Sequence, residues 1–220
     1  MLYIYIDLIG YTMDQYFLYF FIVAITVASP GPGVILTLSN AIRHGVKPSL
    51  SGVLGIALGI SVIAVISASS LGVLLATSAV AFTVLKYVGA AYLIYLGFKL
   101  WRSPPMNLDG AIDQIDFKTK PQYFQRFKEG FLVSLLNPKP IFFFMSLFPQ
   151  FINHQQSYLF QFTYLTLTFC GLIIVVHSIY ALVANSIKGW LSSPRGSKTL
   201  NRVGGSVFVL FGAGLATSQK

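Results

Sequence analysis

The sequence predicts an all-α integral membrane protein: six transmembrane helices, arranged as an inverted 3+3 repeat, with helices 1 and 4 broken near mid-span. Three observations predict it. The chain is 55% hydrophobic and only 10% charged, and its mean hydropathy of +0.72 is well above that of a soluble domain. Its basic residues concentrate in alternate connections between apolar runs. A polar-Pro-x-Pro motif recurs at similar depth in the first and fourth of those runs.

A bilayer core of roughly 30 Å takes about 20 helical residues at 1.5 Å each. Apolar runs of that length fall near 16–41, 50–70, 81–100, 127–149, 158–184 and 201–217. Residues 71–81 are themselves apolar, so the turn between spans two and three is placed only to within several residues. Arg43 and Lys47 follow span one. Lys99, Arg102, Lys118, Lys120, Arg126 and Lys128 surround the connection between spans three and four, and Lys188, Arg195, Lys198 and Arg202 lie between spans five and six. The positive-inside rule puts these connections in the cytoplasm and both termini outside. The net charge of +9 is therefore topological information and implies no nucleic-acid partner.

The opening "MLYIYIDLIGYT" has no basic n-region and no small-residue cleavage site, so it is not read as a signal peptide. Met13 is an equally good start, and residues 1–12 are read as a dispensable extension. Span one then carries Ser29-Pro30-Gly31-Pro32-Gly33 at its middle. A proline offers no N–H to the carbonyl four residues earlier, so Pro30 and Pro32 free the carbonyls of Thr26 and Ala28. Span two carries Ser51, Gly52, Gly55 and Gly59, a strip of small residues suited to close helix packing. Span three has Val88-Gly89 with Gly97 eight residues on, and span six has Val203-Gly204 with Gly212 at the same offset. Together with the prolines these matches, in the same order in both halves, support the inverted repeat. Lys86, near the outer end of span three, is expected to snorkel.

Residues 1–220 then form a single transmembrane domain, with repeat one at about 14–101, a cytoplasmic linker at 102–125 and repeat two at about 126–220. The linker mixes both signs of charge with three prolines, and its Asp109, Asp113 and Asp116 read as a solvated face in preference to a metal cluster. Span four carries Asn137-Pro138-Lys139-Pro140, which frees the carbonyls of Ser134 and Leu136. Span five holds Cys170 and His177, with Tyr180 one turn on. A single cysteine excludes a disulfide framework and a cysteine-rich metal site.

Unpaired carbonyls facing lipid cost several kcal/mol each, so broken backbone belongs against protein or a wet cavity. The half-helices beginning near Gly33 and Ile141 aim orphan N–H groups at the midplane, which suits an anionic group such as a carboxylate. The freed carbonyls, with Ser29 and Asn137, suit an ammonium. Acceptors beside donors fit a zwitterion, so the candidate substrate-binding residues are Ser29, Pro30, Gly31, Pro32, Gly33, Asn137, Pro138 and Lys139. Lys139 lies roughly 18 Å into span four by helical rise, where a cation costs at least ~2.5–3.5 kcal/mol. It is assigned a substrate or gating role in preference to a structural contact with freed carbonyls. His177 and Glu129 are the proton-coupling candidates. His177 is equally well satisfied by a neighbouring carbonyl, and Glu129 by an interfacial pair with Arg126 or Lys128.

Four blocks carry a resemblance: "SPGPG", "AIRHGVKPSLSGVLGIALG", "LKYVGAAYLIYLGFKLWRS" and "FKEGFLVSLLNPKPIFFF". In this order, and over most of residues 16–217, the chain resembles the LysE/RhtB superfamily of bacterial amino-acid exporters, of the homoserine/threonine efflux type. The resemblance implies a multi-pass antiporter of the bacterial inner membrane that exports amino acids or close derivatives, driven by the proton motive force. Its partners would be the amino acid, protons and the lipid bilayer, with no cofactor and with a homo-oligomer left open. The family's proline motif falls on Ser29 to Gly33, its arginine-glycine step on Arg43 and Gly45, and its asparagine-proline-lysine on Asn137 to Lys139.

No carboxylate lies deep in any span. A basic substrate, which would call for buried acids, is therefore disfavoured against threonine, homoserine or a branched-chain residue. The proton carrier must then be Glu129, His177, Asp14 at the outer edge, or the substrate itself. The alternative of cadmium-type cation export has a thin ligand set in Cys170 and His177. An intramembrane enzyme lacks a nucleophile–base pair, because adjacent His177 and Ser178 point about 100° apart on a helix.

Overall fold

The computed structural model describes residues 13–77, 79–104, 123–153 and 156–217. Residues 1–12 and most of the linker, with Asp109, Asp113 and Asp116, lie outside the described residues, as does the side chain of Asp14. Span one is two helices, α1 (Met13–Ala28) and α2 (Pro32–His44), bent by 56° at the proline motif. Gly45 ends α2 at φ 85°, a left-handed conformation that favours glycine, and donates its N–H to the Ala41 carbonyl. Helices α3 (Val46–Thr77) and α4 (Ala79–Trp101) complete the first half.

Span four is more fragmented than its sequence predicts. It begins as α5 (Tyr123–Leu135), restarts as the five-residue α6 (Pro138–Phe142), and continues through a wide π turn (Phe143–Leu147) into a 3₁₀ turn (Phe148–Phe151). Pro149 within that last turn removes a further donor. Helices α7 (Tyr158–Ser192) and α8 (Pro194–Thr217) follow. Val46–Ser67, Tyr158–Leu191 and Pro194–Thr217 are long and apolar enough to cross a bilayer, and the bent α1–α2 pair makes a fourth. The outward faces carry exposed Leu54, Val65, Leu167, Leu182 and Leu210, as lipid contact requires.

Close packing follows the glycines. A Cβ on Gly55 would meet the Phe127 carbonyl, and one on Gly130 the Gly52 carbonyl, so the small strip of α3 seats α5 directly on its backbone. Ser51 Oγ donates to the Tyr123 carbonyl (2.8 Å) and Ser134 Oγ to the Ile56 carbonyl (3.1 Å) across the same seam. Gly97 and Gly212, each eight residues past a Val-Gly pair, also mark a close seam. Gly97 faces the Gly205 carbonyl and Val209, and Gly212 faces the Ala90 carbonyl and Ile94, which joins α4 to α8. Helix α7 packs on α1, α2 and α3. Lys86 differs from the sequence expectation: it is buried, with its ammonium 5.4 Å from the Tyr87 ring.

Candidate functional site

At the broken end of α1 each carbonyl that loses a helical donor finds a side-chain one. Residue 30 is proline, so the Thr26 carbonyl loses its helical donor; Ser29 Oγ donates to it at 2.8 Å. Residue 32 is proline, so the Ala28 carbonyl loses its donor too; Tyr180 of α7 donates its hydroxyl at 2.8 Å. The Ser29 carbonyl accepts from the Lys139 ammonium at 3.1 Å, and Ser29 Oγ accepts from it at 2.5 Å. The freed acceptors expected to face a ligand are thus occupied by the protein's own donors. Lys139 reaches the first break directly, through one carbonyl and one hydroxyl of Ser29.

At the second break the Ser134 carbonyl and the start of α6 are served locally. Asn137 N donates to the Ser134 carbonyl (3.1 Å), and Asn137 Oδ1 caps α6 by accepting from Lys139 N (3.1 Å). The helix restarts at Pro138, earlier than the expected Ile141, and α6 is too short to build a useful dipole. The first break has the stronger terminus: α2 runs 13 residues from Pro32, with Gly31 as its cap residue. Pro32 has no N–H, and Ile35 N already donates to the Gly31 carbonyl (3.0 Å), which leaves the N–H groups of Gly33 and Val34 without a helical acceptor.

Between the breaks lies a cavity that, with its mouth, holds about 450 Å³. Ser29, Gly31, Gly33, Asn137, Lys139 and His177 line it. Apolar Val34, Ile56, Ile60, Phe169 and Ile173 also line it, and no Asp or Glu is among the lining residues. The glycines each face a polar side chain from the second half: a Cβ on Gly31 would lie 3.8 Å from Lys139 Nζ, and one on Gly33 would lie 3.4 Å from His177 Cε1. Pro30, Pro32 and Pro138 are not among the lining residues; they act by breaking the helices. A second, smaller and largely aromatic cavity shares Thr26 and Lys139 with the first, so the Lys139 side chain forms part of the wall between the two.

His177 is buried, and its Nδ1 is 2.7 Å from Thr37 Oγ1. Thr37 Oγ1 also donates to the Gly33 carbonyl at 2.9 Å. A hydroxyl has one proton, so with that proton on Gly33 the imidazole donates from Nδ1. Glu129 sits apart from the cavity. It pairs with Arg126 (Nη1–Oε2 3.0 Å), and the same guanidinium reaches Asn40 Oδ1 (3.4 Å) and His44 Nε2 (3.3 Å). Of the two proton-coupling candidates, only His177 joins the Lys139 cavity. Thr37 is the partner of His177 that the sequence alone does not single out, and Tyr180, one turn from His177, serves the first break by donating to the Ala28 carbonyl. Their signal was helical spacing: Thr37 is four residues from Gly33, and Tyr180 three from His177. Among the described residues no group of three or more His, Cys, Asp or Glu is placed to hold a metal.

Apolar helices of spanning length around a polar cavity at a helix break are the make-up of a multi-pass membrane transporter. The chain belongs to the LysE type translocator family, which matches residues 24–219. It is 37% identical over 208 residues to the homoserine/homoserine lactone efflux protein of Salmonella typhimurium, covering 94% of this chain and 98% of that one. The protein of the same name in Salmonella typhi is 36% identical over the same coverage. An uncharacterized membrane protein of Vibrio cholerae is 31% identical, covering 87% of this chain and 91% of that one. No solved structure matches the chain significantly.

Proposed function

We propose that the protein exports neutral amino acids of the homoserine class from the cytoplasm across the bacterial inner membrane, in exchange for protons. The observation that carries the reading is the cavity: a lysine ammonium beside the N-terminus of α2, with no carboxylate and several apolar side chains in the lining. The ammonium and the orphan N–H groups of Gly33 and Val34 suit a substrate carboxylate. The apolar lining residues suit a short uncharged side chain, and the absence of a lining acid counts against a basic one. The names of the Salmonella relatives, which are homoserine and homoserine lactone efflux proteins, support the same substrate class.

On this reading the chain is one transporter domain. Repeat one spans about 14–101 and repeat two about 126–220, joined by a cytoplasmic linker at 102–125, with both termini outside. The α1–α2 pair then corresponds to α5–α6, α3 to α7 and α4 to α8. Helix contacts support it: α4 packs on α8, its own counterpart, while α3 packs on α5, as its counterpart α7 packs on α1 and α2. Ser29, Gly31, Gly33, Asn137 and Lys139 form the substrate site, held open by Pro30, Pro32 and Pro138. His177, in the same cavity, is the proton-coupling residue.

The test uses inside-out membrane vesicles containing the protein, an inward-acid proton gradient, and labelled homoserine, threonine, leucine and lysine. The expected result is accumulation of homoserine that collapses with an uncoupler and is lost in Lys139→Ala. Accumulation of lysine in preference to the neutral substrates would overturn the assignment of class. Homoserine accumulation that ignores the gradient would overturn the coupling.

A further inference from the structure

Ser29 presents an unusual face. Its hydroxyl proton is spent on the Thr26 carbonyl, so both its Oγ and its backbone carbonyl are available only as acceptors. Both lie at the C-terminal end of α1, where the helix dipole favours a cation. Two convergent acceptors at a negative helix end form a receptor for an ammonium group, and the group found there is the ammonium of Lys139. That lysine comes from the opposite half of the chain, 110 residues away. Lys139 therefore joins the two breaks through a contact chemically identical to the one an amino-acid substrate would make. No carboxylate lines the cavity to hold the lysine once it lets go.

The wall position of Lys139 gives it somewhere to move. Its side chain borders both the polar cavity and the smaller aromatic one, and Nζ is 5.9 Å from the centre of the Phe208 ring. A lone amine arriving at Ser29 would have to displace this cation and leave it without a counter-charge, at a cost typical of an unpaired buried ion. A zwitterion brings the counter-charge with it.

We propose that Lys139 is a tethered stand-in for the substrate's ammonium. It occupies the ammonium subsite on Ser29 in the empty carrier, and a zwitterionic amino acid loads by exchange: the substrate ammonium takes the two Ser29 acceptors and the displaced Lys139 takes the substrate carboxylate. The inference rests on the reading of the protein as an amino-acid exporter and goes beyond it, because it makes the lysine a competitor as well as a clamp. No bond is made or broken, and the exchange conserves charge in the subsite.

The test measures binding of three probes to the purified full-length protein in detergent: homoserine, aminopropanol, which lacks its carboxylate, and γ-hydroxybutyrate, which lacks its amine. In Lys139→Met the stem remains and the cation is gone. Aminopropanol should bind at least about tenfold tighter than to wild type and γ-hydroxybutyrate about tenfold weaker, the scale of one charged hydrogen bond gained or lost. A lysine that only holds the fold would weaken both probes, and a lysine that only clamps carboxylates would leave aminopropanol unchanged; either result overturns the exchange. Should Lys139→Met not fold, Ser29→Ala decides. Loss of one acceptor loosens Lys139, so γ-hydroxybutyrate should bind tighter while aminopropanol does not; unchanged or weaker γ-hydroxybutyrate binding overturns the proposal. Wild type that binds no homoserine sinks the exporter reading itself, whereas homoserine binding without the opposed probe shifts sinks only the exchange.

Discussion

Tyr180→Phe tests most sharply whether a side chain replaces the donor that Pro32 removes, because one atom is lost and its partner is the Ala28 carbonyl. The Ala28 carbonyl has no helical donor, since residue 32 is proline, and the Tyr180 hydroxyl at 2.8 Å is its replacement. Deleting that hydroxyl strands a buried acceptor, which costs about 1–3 kcal/mol. For a chain of this size each kcal/mol moves Tm by roughly 2–4 °C, so the expected fall is about 2–12 °C. Tyr19→Phe is the internal control. Tyr19 is fully buried and its hydroxyl donates to the Leu165 carbonyl at 2.9 Å, but Leu165 lies inside the unbroken α7 and keeps its backbone donor. Its loss removes a hydrogen bond without stranding an acceptor, worth about 0.5–1.5 kcal/mol. Thermal unfolding of both variants in the same detergent, followed by gel-filtration fluorescence, gives the comparison. Equal shifts, or a neutral Tyr180→Phe, would refute the reasoning and imply that water satisfies the break.

Three further outcomes are expected. Gly55→Ala forces a Cβ onto the Phe127 carbonyl and should lower stability by about 1–3 kcal/mol, whereas Gly171→Ala, with nothing within 4 Å, should be neutral or stabilising; thermal melts separate them. Gly33→Ala sits in a helix that tolerates alanine, but its Cβ enters the cavity 3.4 Å from His177 and 3.7 Å from Ile56. Its Tm should hold or rise by the equivalent of up to ~1 kcal/mol while the KM for homoserine uptake rises. Glu129→Gln removes one partner of a part-exposed ion pair outside the cavity. It should keep gradient-driven uptake, and loss of uptake with normal folding would return the proton-carrying role to Glu129.

Much of the architecture was legible because it depends on local chemistry. A proline lacks an N–H in any context, so both breaks fall at Ser29-Pro30-Gly31-Pro32 and Asn137-Pro138-Lys139-Pro140, although the second half-helix restarts at Pro138 and not at Ile141. The small strip of Ser51, Gly52, Gly55 and Gly59 announced a close neighbour, but the neighbour, α5, was not named by it. Helices α3 and α7, at 32 and 35 residues, run on beyond the apolar runs at 50–70 and 158–184, because hydropathy marks the stretch suited to lipid and carries no stop signal for the helix itself. The π and 3₁₀ turns after α6 left no periodic signal in a run as uniformly apolar as "IFFFMSLF".

The sequence alone determined that this is a membrane protein, where its chain is interrupted, and which backbone carbonyls those interruptions deprive of donors. The tertiary structure decided what replaces the donors. Tyr180 reaches the Ala28 carbonyl from 152 residues away, and Lys139 reaches Ser29 from 110. Those partners turn an expected set of open acceptors into a filled ammonium site. Their identity depends on which helix faces are brought together, a property of the packing that no local pattern encodes. The need for a donor is a covalent fact about proline, while its supply is set by three-dimensional contact.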